Sequence, residues 1–198
     1  MFILYALVIG VALGIALGGR PAGLGSLRFR WSGLMLAGLM AQVVLFSDTV
    51  AERVGALGPP IYVASTVLVL AAVVANRSIP GMAIVALGAV SNLAAIVANG
   101  GYMPAARSAL DALGKSDPTT YSNSMSVESP ALGPLTDVFA MPPWLPFANV
   151  FSVGDVLIVV GVVTTIVLAM RSVARGGDSD RGAREQLPHP ADLPGTVE

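Results

Sequence analysis

The amino-acid sequence predicts an all-α membrane protein: a five-span transmembrane helical bundle with a long outer loop before the last span. Three observations carry that expectation. Five apolar runs, residues 2–18, 31–47, 59–75, 80–98 and 152–170, account for most of the chain. Each is close to the ~20 residues that a helix needs to cross about 30 Å of hydrocarbon. Composition agrees, since 55% of the 198 residues are hydrophobic and only 12% are charged, against about a quarter charged in soluble domains. Finally, the basic residues are unevenly placed between the runs, as the positive-inside rule requires of a polytopic chain.

The first run resembles a signal peptide in position only. No Lys or Arg precedes it, whereas Arg20, Arg28 and Arg30 follow it, so it reads as a retained span. Small residues recur every four positions at Ala6, Gly10, Gly14 and Gly18, a spacing that lets helix backbones approach closely in lipid. Gly33, Ala37 and Ala41 form a similar stripe on the second run, and the two stripes are expected to pack on each other. Pro59 and Pro60 open the third run and Pro80 the fourth, where a missing amide donor costs nothing. Between them, Asn76 to Ile79 reads as a tight turn. Its Asn76-Arg77-Ser78 triplet matches a glycosylation acceptor, which this short turn makes a chance match.

Residues 99–151 form a segment far longer than two helices need for a connection. Pro104 to Leu113 reads as a short amphipathic helix, with Ala106, Ala109, Leu110 and Leu113 on one face and Gly114 as its stop. A polar, turn-rich stretch from Ser116 to Pro130 follows. Phe139, Trp144, Phe147 and Phe151 then alternate with Pro142, Pro143 and Pro146, a composition suited to an interfacial belt or a cap over the bundle mouth. Residues 1–170 make one transmembrane domain, and the Gly-, Pro- and charge-rich tail 171–198 is expected to be disordered and cytoplasmic.

Eight of the eleven basic residues (Arg20, Arg28, Arg30, Arg77, Arg171, Arg175, Arg181, Arg184) fall on one side of this alternation, and Arg53, Arg107 and Lys115 on the other. The expected topology in the cell membrane is therefore N-terminus outside and C-terminus inside, with 99–151 outside.

Several function classes are disfavoured. A net charge of −1 without a basic patch argues against nucleic acid as a partner. With no cysteine, and with the single His189 in the tail, the spans offer neither thiolate nor imidazole for a haem or a metal, so no cofactor is expected. Nor do they carry a hydrolase motif or a base beside a nucleophile, and no enzyme activity is expected. Polar residues inside spans are the best guide to a site. Gln42, Ser65, Thr66, Ser91, Asn92 and Asp155 fall at one level in the outer half, and Asn99 closes the fourth run at the same surface. Gln42, Asn92, Asn99 and Asp155 are the candidate ligand- or partner-binding residues. Each also has a purely structural reading. Asn92 and Gln42 suit interhelical hydrogen bonds, Asn99-Gly100-Gly101 a helix C-terminus, and Ser152-Val153-Gly154-Asp155 a capping box.

Asn99-Gly100-Gly101-Tyr102-Met103-Pro104, and Leu132-Gly133-Pro134-Leu135-Thr136-Asp137 leading to Ser152-Val153-Gly154-Asp155, resemble a family of small bacterial polytopic membrane proteins classified as a domain of unknown function. The resemblance spans roughly residues 1–170 and leaves out the tail. It implies a multi-span helical membrane protein and carries over no catalytic residue. The expected function is that of a non-catalytic accessory, scaffolding or ligand-binding membrane protein. Its expected partners are the lipid bilayer and a protein at the outer segment, and homo-oligomers are compatible with the small-residue stripes. The alternative is a small-solute transporter or channel, as a single chain or as an oligomer.

Overall fold

Each apolar run forms one helix, because in a continuous apolar run the helix satisfies every backbone polar group internally. In chain order the helices are α1 (Phe2–Ala16), α2 (Ser32–Leu45), α3 (Asp48–Ala51), α4 (Gly58–Ala75), α5 (Met82–Ala98), α6 (Arg107–Ala112) and α7 (Val153–Glu185). The computed structural model describes residues 2–114 and 124–185. Within them α4 carries its prolines in the first turn as expected, whereas α5 starts after Pro80, behind Gly81 in the left-handed region at φ 91°. Two helical stretches, Gly55–Ala75 and Val153–Ser172, are long and apolar enough to cross a membrane, and three shorter apolar helices accompany them.

The chain is mostly helical but not all-α, which corrects the expected fold class: β1 (Met103–Ala105) pairs in parallel with β2 (Ser124–Ser126), and β3 (Phe139–Ala140) pairs antiparallel with β4 (Val150–Phe151). The helix α7 is assigned from Val153 to Glu185. Elongating a nucleated helix adds one hydrogen bond per residue fixed, which offsets the roughly 1 kcal/mol lost at each of Gly176 and Gly177. Residues 186–198, with His189, and residues 115–123 of the expected polar stretch lie outside the described residues.

The long helices form a row: α1 packs on α7, α7 on α5, α5 on α4 and α4 on α2. No substantial packing joins α1 to α2, so the expected pairing of their small-residue stripes does not occur. Instead α1 lays Ala6, Gly10 and Gly14 against α7, where a Cβ on Gly14 would fall 2.5 Å from Met170 Sδ. Gly18 lies beyond the end of α1 with φ 77° and open space around it. On α2 the packing residue is Gly38, whose Cβ would meet Val69 at 2.7 Å, while Gly33 and Ala37 face outward. Residue size decides the outcome: a helix approaches closest wherever a glycine meets a neighbour's backbone, and periodicity alone does not name that neighbour. Gly14→Leu is therefore expected to lower the thermal midpoint in detergent strongly, and Gly33→Leu by little. Equal shifts would refute the α1–α7 contact.

The tightest interface joins α5 and α7, antiparallel, through two glycine pairs. Gly81 meets Gly161 and Gly88 meets Gly154, each so close that an added Cβ would collide with the partner's backbone carbonyl. At one end of the row, Arg20 N donates to Met170 O at 2.8 Å, and the Pro21–Ser26 turn seats Gly23 on Ala169 and Met170. At that same end, Asn76 clamps the Arg30 backbone: Arg30 N donates to Asn76 Oδ1 and Asn76 Nδ2 to Arg30 O, both at 2.8 Å. Arg20, Arg28, Arg30, Arg77 and Arg171 are thereby gathered at one end.

The described residues of 99–151 sit at the opposite end. The helix α6 is shorter than the expected 104–113, because Pro104 and Ala105 join β1 and a bridge to Asp137. Its apolar face is nonetheless as expected, but Ala109 and Leu110 pack with Ala105 and Val150 in a small core within this segment. Gly114, at φ 63°, ends it. The Tyr5 hydroxyl donates to Pro146 O, tying the proline-rich stretch to α1.

Candidate functional site

Because the row curves, side chains from α1, α2, α4, α5 and α7 line one cavity of about 600 Å³. On α5 its wall runs from Met82 to Ile96, about 21 Å at 1.5 Å per residue. Most of that wall is aliphatic, with Leu7, Leu39, Val73 and Val85 among its residues. Gln42, Thr66, Asn92 and Asp155 line it at the end beside residues 99–151, and Thr165 lines it at the other end. The Thr165 hydroxyl is bonded to Pro80 O at 2.8 Å and to Gly161 O at 2.9 Å. Leu24, Leu27 and Phe29 of the segment that joins α1 to α2 also line it.

The polar end is built from the helix termini upward. Ser152 precedes α7 and Asp155 lies in its first turn, the spacing of a capping box. Asp155 N donates to Ser152 Oγ and Ser152 N to Asp155 Oδ2, both at 3.0 Å. Asn92 closes the pair from α5: its Nδ2 donates to Asp155 Oδ1 at 2.8 Å, and its Oδ1 accepts from Ser152 Oγ at 2.8 Å. Gly154 is what admits Asn92, since a Cβ there would overlap Asn92 Oδ1. Capping and a shared polar cluster, which stand as alternatives in the sequence, are the same arrangement here. Across the cavity Gln42 Nε2 donates to Thr66 Oγ1 at 3.2 Å, which in turn donates to Tyr62 O at 2.8 Å.

Asn99 does not line the cavity. As the C-cap of α5 it holds Ala131, with Nδ2 donating to Ala131 O and Ala131 N donating to Oδ1, both at 2.9 Å, while Nδ2 also reaches Ala95 O at 2.8 Å. Asn76 does the same for Arg30 from the end of α4, bonding Ala72 O at 2.7 Å. Both asparagines are structural clamps, and Asn76, only 2% exposed, has its amide committed inside the fold. Among the described residues of 99–151, none lines the cavity. The side chain that sequence reasoning passed over is Ser152, which links Asn92 to α7. Its position three residues before Asp155 marked only the capping role.

This combination defines a mostly helical protein, with two helices long and apolar enough to cross a membrane, around a cavity that is polar at one end. The chain belongs to a family of unknown function, DUF5317, whose model matches residues 26–167. That match contains both motifs, Asn99–Pro104 and Ser152–Asp155, and starts after α1, less than the expected span of 1–170. No curated protein and no solved structure matches the chain.

Proposed function

We propose that this is a five-span integral membrane protein, non-catalytic, that holds a ligand in the cavity between its helices. The cavity carries the proposal: five helices converge on it, its volume lies within the roughly 300–1,000 Å³ of ligand sites, and its few polar groups other than Thr165 are gathered at one end.

Membrane insertion is supported by surface chemistry. Only 28% of the apolar window in Gly55–Ala75 and 39% of that in Val153–Ser172 is buried, unlike a core helix of a soluble protein. Val8, Leu36, Val43 and Leu87 face outward on the other helices. Exposed aromatics stand at both ends, Trp31 at the arginine end and Trp144 (79% exposed) and Phe147 at the other, the arrangement of interfacial belts. Helices α1, α2 and α5, with 15, 14 and 17 residues, are shorter than the usual ~20 and are accommodated by local thinning of the bilayer. The arginine end faces the cytoplasm in this reading.

The apolar stretch between the polar end and Thr165 gives no support to the transporter reading, because a solute path needs polar groups along its length. Two measurements test the proposal. Purified protein should carry a co-purifying small molecule, seen by native mass spectrometry, that Ala89→Trp in the cavity wall displaces. In intact cells a membrane-impermeant thiol reagent should label Asp111→Cys and spare Ser78→Cys, both exposed positions in a chain without native cysteine. The reverse pattern would invert the orientation.

A further inference from the structure

Asp155 is the one carboxylate among the cavity-lining residues. Each of its oxygens accepts a single hydrogen bond, Oδ1 from Asn92 and Oδ2 from Ser152 N, whereas a carboxylate has about four acceptor positions. Among the described residues no Lys or Arg lines the cavity beside it. A charge at the edge of an apolar space is stabilised best by an opposite charge, so the arrangement calls for a cation on the ligand. Across the cavity, Gln42 Nε2 has a second proton beyond the one given to Thr66, a donor for an anionic oxygen. The aliphatic remainder, about 15 Å long on α5 from Asn92 down to Met82, matches the roughly 15 Å of one leaflet's hydrocarbon.

We infer that the cavity takes one hydrocarbon chain of a bilayer lipid with an ammonium and a phosphate in its headgroup, the ammonium beside Asp155 and the phosphate towards Gln42. This rests on the ligand-binding reading above and names the chemistry of the ligand. Charge complementarity at Asp155, together with an aliphatic wall about as long as one leaflet's hydrocarbon, selects it over a second copy of the chain.

The test uses the full chain in detergent, given phosphatidylethanolamine or phosphatidylglycerol of matched chains, with bound lipid counted by native mass spectrometry. Wild type should favour phosphatidylethanolamine about tenfold, the scale of one charge-assisted contact. Asp155→Asn, which keeps a capping side chain, should reduce that preference to less than about twofold while a chain still binds, and Gln42→Leu should weaken binding of both lipids. Ala89→Trp should remove both lipids. Thermal unfolding establishes that each variant is folded. If Asp155→Asn leaves the preference intact, or wild type has none, the headgroup assignment is wrong, and the cavity reading survives only where Ala89→Trp still displaces the bound molecule. If Ala89→Trp displaces nothing, both fail. A lipid-free dimer that Ala89→Trp dissociates overturns the lipid and puts a second copy in its place.

Discussion

Gly154→Ala should be among the most destabilising single-methyl changes in the chain. The added Cβ would overlap Asn92 Oδ1 and stand 2.8 Å from Gly88 O, so either α7 moves off α5 or Asn92 leaves its place. In the first case the Gly81–Gly161 contact one layer away is strained as well. In the second, Asp155 Oδ1 and Ser152 Oγ lose the partner they share. Overpacking costs about 1–3 kcal/mol, and an unpaired buried polar group about as much again, so a loss on the order of 3 kcal/mol is expected. Gly25→Ala is the comparison, since its Cβ meets nothing within 4 Å, and it should change stability by less than about 0.5 kcal/mol. Adding Asn92→Ala to Gly154→Ala should recover only part of the loss, because the Gly88 carbonyl still crowds the new methyl. Thermal or denaturant unfolding in detergent reads all of these. A Gly154→Ala protein as stable as wild type would mean that α5 and α7 do not approach as described.

That glycine shows where sequence reading reached and where it stopped. Hydrophobic length located all five long helices to within a few residues, except at the end of α7, because burial of apolar side chains and internal pairing of the backbone act along the local chain. Local hydrogen bonding was equally legible. Ser152 and Asp155 form the capping box that their spacing announces, and Gly100 and Gly101 take the positive φ expected after Asn99. Partner choice was not legible. The stripe on α1 was read correctly as a packing face but assigned to α2, and it packs on α7. Gly81 and Gly88 share their seven-residue spacing with Gly154 and Gly161, so the signal for the closest interface was present, but only as a match between two distant segments. The clamps at Asn76 and Asn99 reach across 46 and 32 residues respectively. Nothing local marks which backbone such an amide will hold.

The candidate site divides in the same way, and a double-mutant cycle separates its true members from its neighbours. Asn92→Ala and Asp155→Ala should be non-additive, with a coupling on the order of 1–2 kcal/mol. That is near the upper end for side-chain pairs in membrane bundles, because the bond is charge-assisted and Ser152 loses its acceptor along with it. Asn99→Ala with Asp155→Ala should add to within about 0.5 kcal/mol, since Asn99 spends its amide on Ala131 and Ala95 and shares no partner with Asp155. The single Asn99→Ala loss should instead fall on the segment it anchors, as faster amide exchange at Ala131. Additive behaviour of the first pair would remove Asn92 from the polar end and leave Asp155 as a cap alone. Coupling of the second pair would mean that residues 130–133 and the start of α7 move together. In that case the aromatic segment, although it does not line the cavity, would report on what the cavity holds.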